Sequence, residues 1–80
     1  MPTVLRIDGH RFFFYSLEGQ EPPQIDVERG DSVAKFWLAP VVLADSSGFR
    51  SHELTRLRML VQDNRLRFLE AWDEHFGHQP

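Results

Sequence analysis

Short apolar-rich segments, some with apolar and polar residues in alternation, occupy residues 3–45, and apolar residues then recur about every 3.6 positions through 51–76, so strands precede a helix. Thr3-Val4-Leu5-Arg6-Ile7 and Arg11-Phe12-Phe13-Phe14-Tyr15 form two strand signals. The Asp8-Gly9-His10 turn between them suits a hairpin, because glycine tolerates a positive φ. Glu18-Gly19-Gln20-Glu21-Pro22-Pro23 reads as a loop, since consecutive prolines have no place in a central strand. A second hairpin runs from Gln24 to Arg29, turns at Gly30-Asp31 and returns from Ser32 to Leu38. Pro40 ends that strand, and Val41-Val42-Leu43 is the candidate for a fifth.

Hairpin parity divides these residues between two faces. With Gly30-Asp31 as a two-residue loop, Val27 faces Ala34, Ile25 faces Phe36, Asp26 faces Lys35 and Gln24 faces Trp37. The apolar pairs then share one side with Leu5, Ile7, Phe12, Phe14 and Leu38, which is the expected core face. Arg6, Phe13, Tyr15, Gln24, Asp26, Glu28, Lys35 and Trp37 fall on the other side, with Val4 at its margin. In the C-terminal segment, Leu54, Leu57, Val61, Phe68, Leu69, Trp72 and Phe76 make one stripe that Arg65 interrupts. Ser51 is the expected N-cap and Gly77 the expected C-cap. An unbroken helix over 51–76 would span roughly 39 Å, more than a small sheet needs, and Asp63-Asn64 is where a kink is expected. Met59 and Leu66 lie off the stripe.

The predicted architecture is α+β: a curled antiparallel sheet of four to five strands, built from two hairpins, packed on one long C-terminal amphipathic helix. Eighty residues with 41% apolar content and no cysteine suit one domain over residues 1–80 with a packed core. The missing thiols exclude disulfides, thiolate zinc sites and a cysteine nucleophile, and favour a cytoplasmic location. No apolar run approaches the length of a membrane span and no signal peptide is apparent. A net charge of −3 speaks against a free nucleic-acid binder, which normally carries a basic footprint.

Candidate chemistry is concentrated on the polar side of the sheet. Trp, Tyr and Arg among charges of both signs suit a binding face; the alternative is that Phe13 and Trp37 lie in a second small core formed by curvature or by the Val41–Phe49 segment. Asp26 opposite Lys35 offers an acid–base pair, or simply a cross-strand ion pair. His10, His52, His75 and His78 show no metal-ligand spacing, so no metal or cofactor is expected. Arg50, Arg56, Arg58, Arg65 and Arg67 read as a solvated, salt-bridged helix surface, with a phosphate contact as the other reading. Phosphate-loop, dinucleotide, zinc-protease and nucleophile-elbow motifs do not occur.

The segments MPTVLRIDGHRFFFYS (Met1–Ser16), EPPQIDVERGD (Glu21–Asp31), AKFWL (Ala34–Leu38) and EAWDEHFG (Glu70–Gly77) resemble a family of small bacterial proteins known as domain of unknown function 4160. That resemblance implies the toxin-like partner, of the DhiT type, in a type II toxin–antitoxin pair. It also implies neutralisation by a cognate antitoxin protein. Relatives typically carry His-Val-His-Val after the double proline, where this chain has Gln24 and Asp26. The expectation is therefore a toxin-like component acting on translation or RNA, with ribonuclease-like activity through Asp26 and Lys35. Arg6, Phe13, Tyr15, Gln24, Glu28 and Trp37 complete the binding face. The alternative is a non-catalytic interaction module, antitoxin-like or regulatory. A second copy of the chain and the ribosome are further candidate partners, and a membrane is not.

Overall fold

The computed structural model describes residues 3–15 and 21–77; the expected loop positions Glu18 to Gln20, and His78, lie outside them. Five antiparallel strands form an open meander: β1 (Thr3–Ile7), β2 (His10–Phe13), β3 (Gln24–Arg29), β4 (Ser32–Leu38) and β5 (Val41–Ser47). Two helices follow, α1 (Ser51–Asp63) and α2 (Arg65–Phe76). The β1–β2 loop is Asp8-Gly9, with φ of 49° and 79°, so both central residues take the left-handed conformation of a type I′ turn. The β3–β4 hairpin has the register that parity demands: Gln24 faces Trp37, Ile25 faces Phe36, Asp26 faces Lys35 and Val27 faces Ala34.

One face of the sheet carries the core. Phe12, Phe14, Ile25, Val27, Ala34, Phe36 and Leu38 are buried there with Val41, Leu57, Val61, Phe68 and Trp72, and Leu5 and Ile7 pack at the edge. Val4 belongs to this side as well, contrary to the parity expectation. The β1–β2 register shifts between Thr3 and Leu5, and the extra residue changes which side Val4 faces. Phe12 stacks on Phe68 with centroids 5.3 Å apart, and Phe14 meets Trp72 edge-on at 5.3 Å.

The single long helix is corrected to two, of 13 and 12 residues. Asn64 makes the break. Its side-chain Nδ2 donates to the Leu60 carbonyl at 2.9 Å and its own N–H donates to the same oxygen at 3.1 Å. A side chain bonding back to the i−4 carbonyl bends a helix. Arg65, the interruption in the apolar stripe, donates through Nε to the Leu38 carbonyl at 2.6 Å and so docks α2 on the end of β4. The N-cap is Arg50 rather than Ser51: Glu53 reaches back to accept from the Arg50 N–H at 2.9 Å, which satisfies the chain entry without a hydroxyl. Gly77 ends α2 at φ 78°, as expected. No helix among the described residues is long and apolar enough to cross a membrane.

Candidate functional site

The sheet face turned away from the helices carries every residue proposed for chemistry, but it is not uniformly open. Phe13, Gln24 and Asp26 are 1%, 0% and 5% exposed, so the expectation that they are displayed to solvent is corrected. Among the described residues, two groups lie against them. Tyr15 lies edge-on to Phe13 at 5.0 Å, and the Arg11 guanidinium sits 4.4 Å from the centre of the same ring. The Glu21–Pro23 segment leads into β3 beside Gln24, Lys35 and Leu38. Gln24 Nε2 donates to Glu21 Oε1 at 2.6 Å, Lys35 Nζ stands 4.0 Å from that oxygen, and the Leu38 N–H donates to the Pro23 carbonyl at 3.0 Å. The Val41–Phe49 segment is not the cover, because most of it lies within the sheet as β5.

Tyr15, Asp26 and Lys35 converge. They line a pocket of about 150 Å³ with Val33, Ala34, Asp45, Ser46 and Ser47. Pairing places Asp26 on β3 opposite Lys35 on β4, and Lys35 opposite Asp45 on β5. Asp45 owes that position to a bulge. The β4–β5 register runs Leu38 to Val41, Trp37 to Val42 and Phe36 to Leu43, then skips Ala44 so that Lys35 meets Asp45. Without the extra residue Asp45 would stand opposite Ala34 and face the core. Bulges are a recurrent way of re-aiming a side chain toward a site. Asp45 Oδ1 in turn accepts from the Ser46 N–H at 2.9 Å.

The remaining expected residues lie around this pocket rather than in it. Glu28 is tied to Arg11 by an ion pair of 2.7 Å, and Arg11 Nε also donates to the Thr3 hydroxyl at 2.7 Å. Arg6 is exposed on β1 beside that group. Trp37 is half-buried between Gln24 and Val42. Gln24 Oε1 is buried without a hydrogen-bond partner among the described residues. Asp45, Ser46 and Ser47 were missed from sequence because an Asp-Ser-Ser run reads as loop; their pairing with β4 is what brings them in. No three His, Cys, Asp or Glu side chains among the described residues converge as metal ligands. Chemically, the pocket offers two carboxylate acceptors flanking one ammonium donor, with a phenol ring at its rim.

The family described as "Domain of unknown function (DUF4160)" matches residues 9–73, well over half of the chain. The chain belongs to that family. No curated protein and no solved structure matches it. The DUF4160 match takes in β2 to β5 and α1 entirely and most of α2, so the Asp26–Lys35–Asp45 pocket falls within the family region.

Proposed function

We propose that this DUF4160 protein is the toxin-like component of a bacterial type II toxin–antitoxin pair, neutralised by a cognate antitoxin protein, with the Tyr15–Asp26–Lys35–Asp45 pocket as its working site. The supporting observation is Asp26: a carboxylate 5% exposed, set beside Lys35 in a pocket of a very small protein. Burying a charge is costly, and such groups concentrate where chemistry or binding needs them. The residue types suit attack on a phosphodiester. Asp26 can take the proton of an attacking hydroxyl, Lys35 can stabilise charge developing on the phosphate, and Tyr15 offers a ring for a base to stack on. A net charge of −3 gives no long-range pull on RNA, so an RNA already held by the ribosome fits better than free RNA.

A second reading is favoured by β5. This strand is one of the two edges of the sheet, and Val42 and Leu43 on it are 48% and 38% exposed, with Val33 of β4 at 41%. An exposed apolar edge strand is a template for strand addition by a protein partner. Under that reading the chain is a non-catalytic interaction module, antitoxin-like or regulatory. Inducing the gene without its neighbour separates the two. Growth arrest that is relieved when Asp26→Ala and Lys35→Ala are introduced together, in a variant that remains folded, supports the toxin. Undisturbed growth at full soluble expression defeats it and favours the interaction module.

A further inference from the structure

On the helix side of the sheet, the two hairpin turns and the start of α1 enclose a separate pocket of about 220 Å³ lined by His10, Arg29, His52, Glu53, Arg56 and Leu57. It shares no residue with the Asp26–Lys35 pocket. Its charge balance runs against that of the chain: Arg29 and Arg56 outnumber Glu53 even with both imidazoles neutral, whereas the whole molecule carries −3.

Each cation is placed by the fold. Arg29 ends β3, and its Nε lies 3.7 Å from where a side chain on Gly9 would begin, so the guanidinium rests over the β1–β2 turn. His52 and Arg56 are four residues apart on α1 and share a face. The first turn of this 13-residue helix adds the positive end of its dipole. The one carboxylate is already engaged. Glu53 is held below its ordinary range first by the Arg50 N–H and then by the charges of His52, Arg29 and Arg50.

His10 is the observation that points to a ligand. It is 6% exposed, with its ring 6.0 Å from that of Phe49. Its Nδ1 meets the Ile7 carbonyl at 3.1 Å; a carbonyl only accepts, so the hydrogen is on Nδ1. Nε2 forms no hydrogen bond among the described residues, and the ring lines the pocket among Arg29, His52, Glu53 and Arg56. With its hydrogen on Nδ1, this nearly buried imidazole presents the Nε2 lone pair as an acceptor in a pocket it shares with two guanidinium groups, which suits an oxyanion that carries a hydroxyl of its own.

We propose that this pocket binds a phosphate-type oxyanion, with Arg29 and Arg56 as charge partners, His52 as a donor and His10 Nε2 as the acceptor of the phosphate hydroxyl. The inference is independent of the proposed function. The phosphate could belong to a small phosphorylated molecule or to a polynucleotide backbone.

Amide and imidazole resonances of the full chain, followed by NMR during titration with inorganic phosphate, test it. Saturable shifts are expected at His10, His52, Glu53 and Arg56 and not at Lys35. Arg29→Ala and Arg56→Ala, both at exposed positions, should each weaken binding about tenfold. Replacing buried His10 risks unfolding, so its part is read in the intact chain with sulfate, which carries no hydroxyl near neutrality and should bind more weakly than phosphate. Competition by an oligouridylate, weakening steeply with salt, identifies a polynucleotide source; phosphate binding that oligouridylate leaves untouched identifies a small ligand. Shifts that never saturate, or affinity unchanged in both arginine variants, overturn the proposal.

Discussion

Gln24 and Asp26 occupy the middle of a sheet in a chain of 80 residues and are almost fully covered, 0% and 5% exposed. In such a small fold, buried polar groups use stability that the core has little of to spare. Gln24 recovers part of that cost through its bond to Glu21. At the same scale, Glu53 links chain entry to charge. Its carboxyl is depressed from an ordinary 4.5 chiefly by the hydrogen bond from the Arg50 N–H. A carboxyl with a lowered folded-state pKa stabilises above its unfolded value, and that contribution disappears as pH falls through the folded value. Glu53→Ala should therefore lower the denaturation midpoint at neutral pH. The gap from wild type should close as denaturant titrations are repeated at pH values below 4.5. An undiminished gap in acid would show that the cap does not depend on the charge.

At the scale of elements, the turns and the helix break carry the fold. Gly48 joins β5 to α1 at φ 93°, and a Cβ there would lie 2.6 Å from Ser32 Oγ and 3.0 Å from Ser32 Cα. The hydroxyl can rotate away but the backbone atom cannot. Gly48→Ala should cost about 1–3 kcal/mol in equilibrium unfolding, from the left-handed backbone and the clash together. Arg65→Ala removes the donor to the Leu38 carbonyl and leaves a partly buried acceptor unmet. A loss of about 1–2 kcal/mol is expected, read from the urea midpoint with the slope unchanged. The apolar stripe of α1 and α2 was legible from residue spacing, and Asp63-Asn64 was legible as a weak point. The break itself depends on Asn64 finding the Leu60 carbonyl and Arg65 finding β4; the second contact spans 27 residues of sequence.

For the whole molecule, an aromatic layer joins α2 to Phe12 and Phe14 across the core. Phe68 is 0% exposed and stacks on Phe12, while Phe14, Trp72 and Phe76 form a connected group with Trp72 and Phe76 centroids 4.2 Å apart. Phe68→Ala should cost about 3–5 kcal/mol. Total stability for a chain this long is about 4–12 kcal/mol, so that variant should lose most of its cooperative thermal transition by circular dichroism. Survival of a sharp transition near the wild-type temperature would mean that α2 contributes little to the core.

Sequence alone determined the face assignment across the β3–β4 hairpin, because side-chain alternation and a two-residue loop leave one register that buries Ile25, Val27, Ala34 and Phe36 together. It also determined the helical stripe that covers them, since both patterns are local consequences of backbone geometry. Only the tertiary structure decided which of the described residues meet on the opposite face, where Tyr15 and Arg11 pack on Phe13 and Glu21 meets Gln24 and Lys35. It likewise decided that Asp45 meets Lys35 and that His10 meets Arg29, His52 and Arg56. Those meetings depend on a bulge, an edge pairing and the docking of a helix on two turns, which are long-range contacts that no short window of sequence encodes.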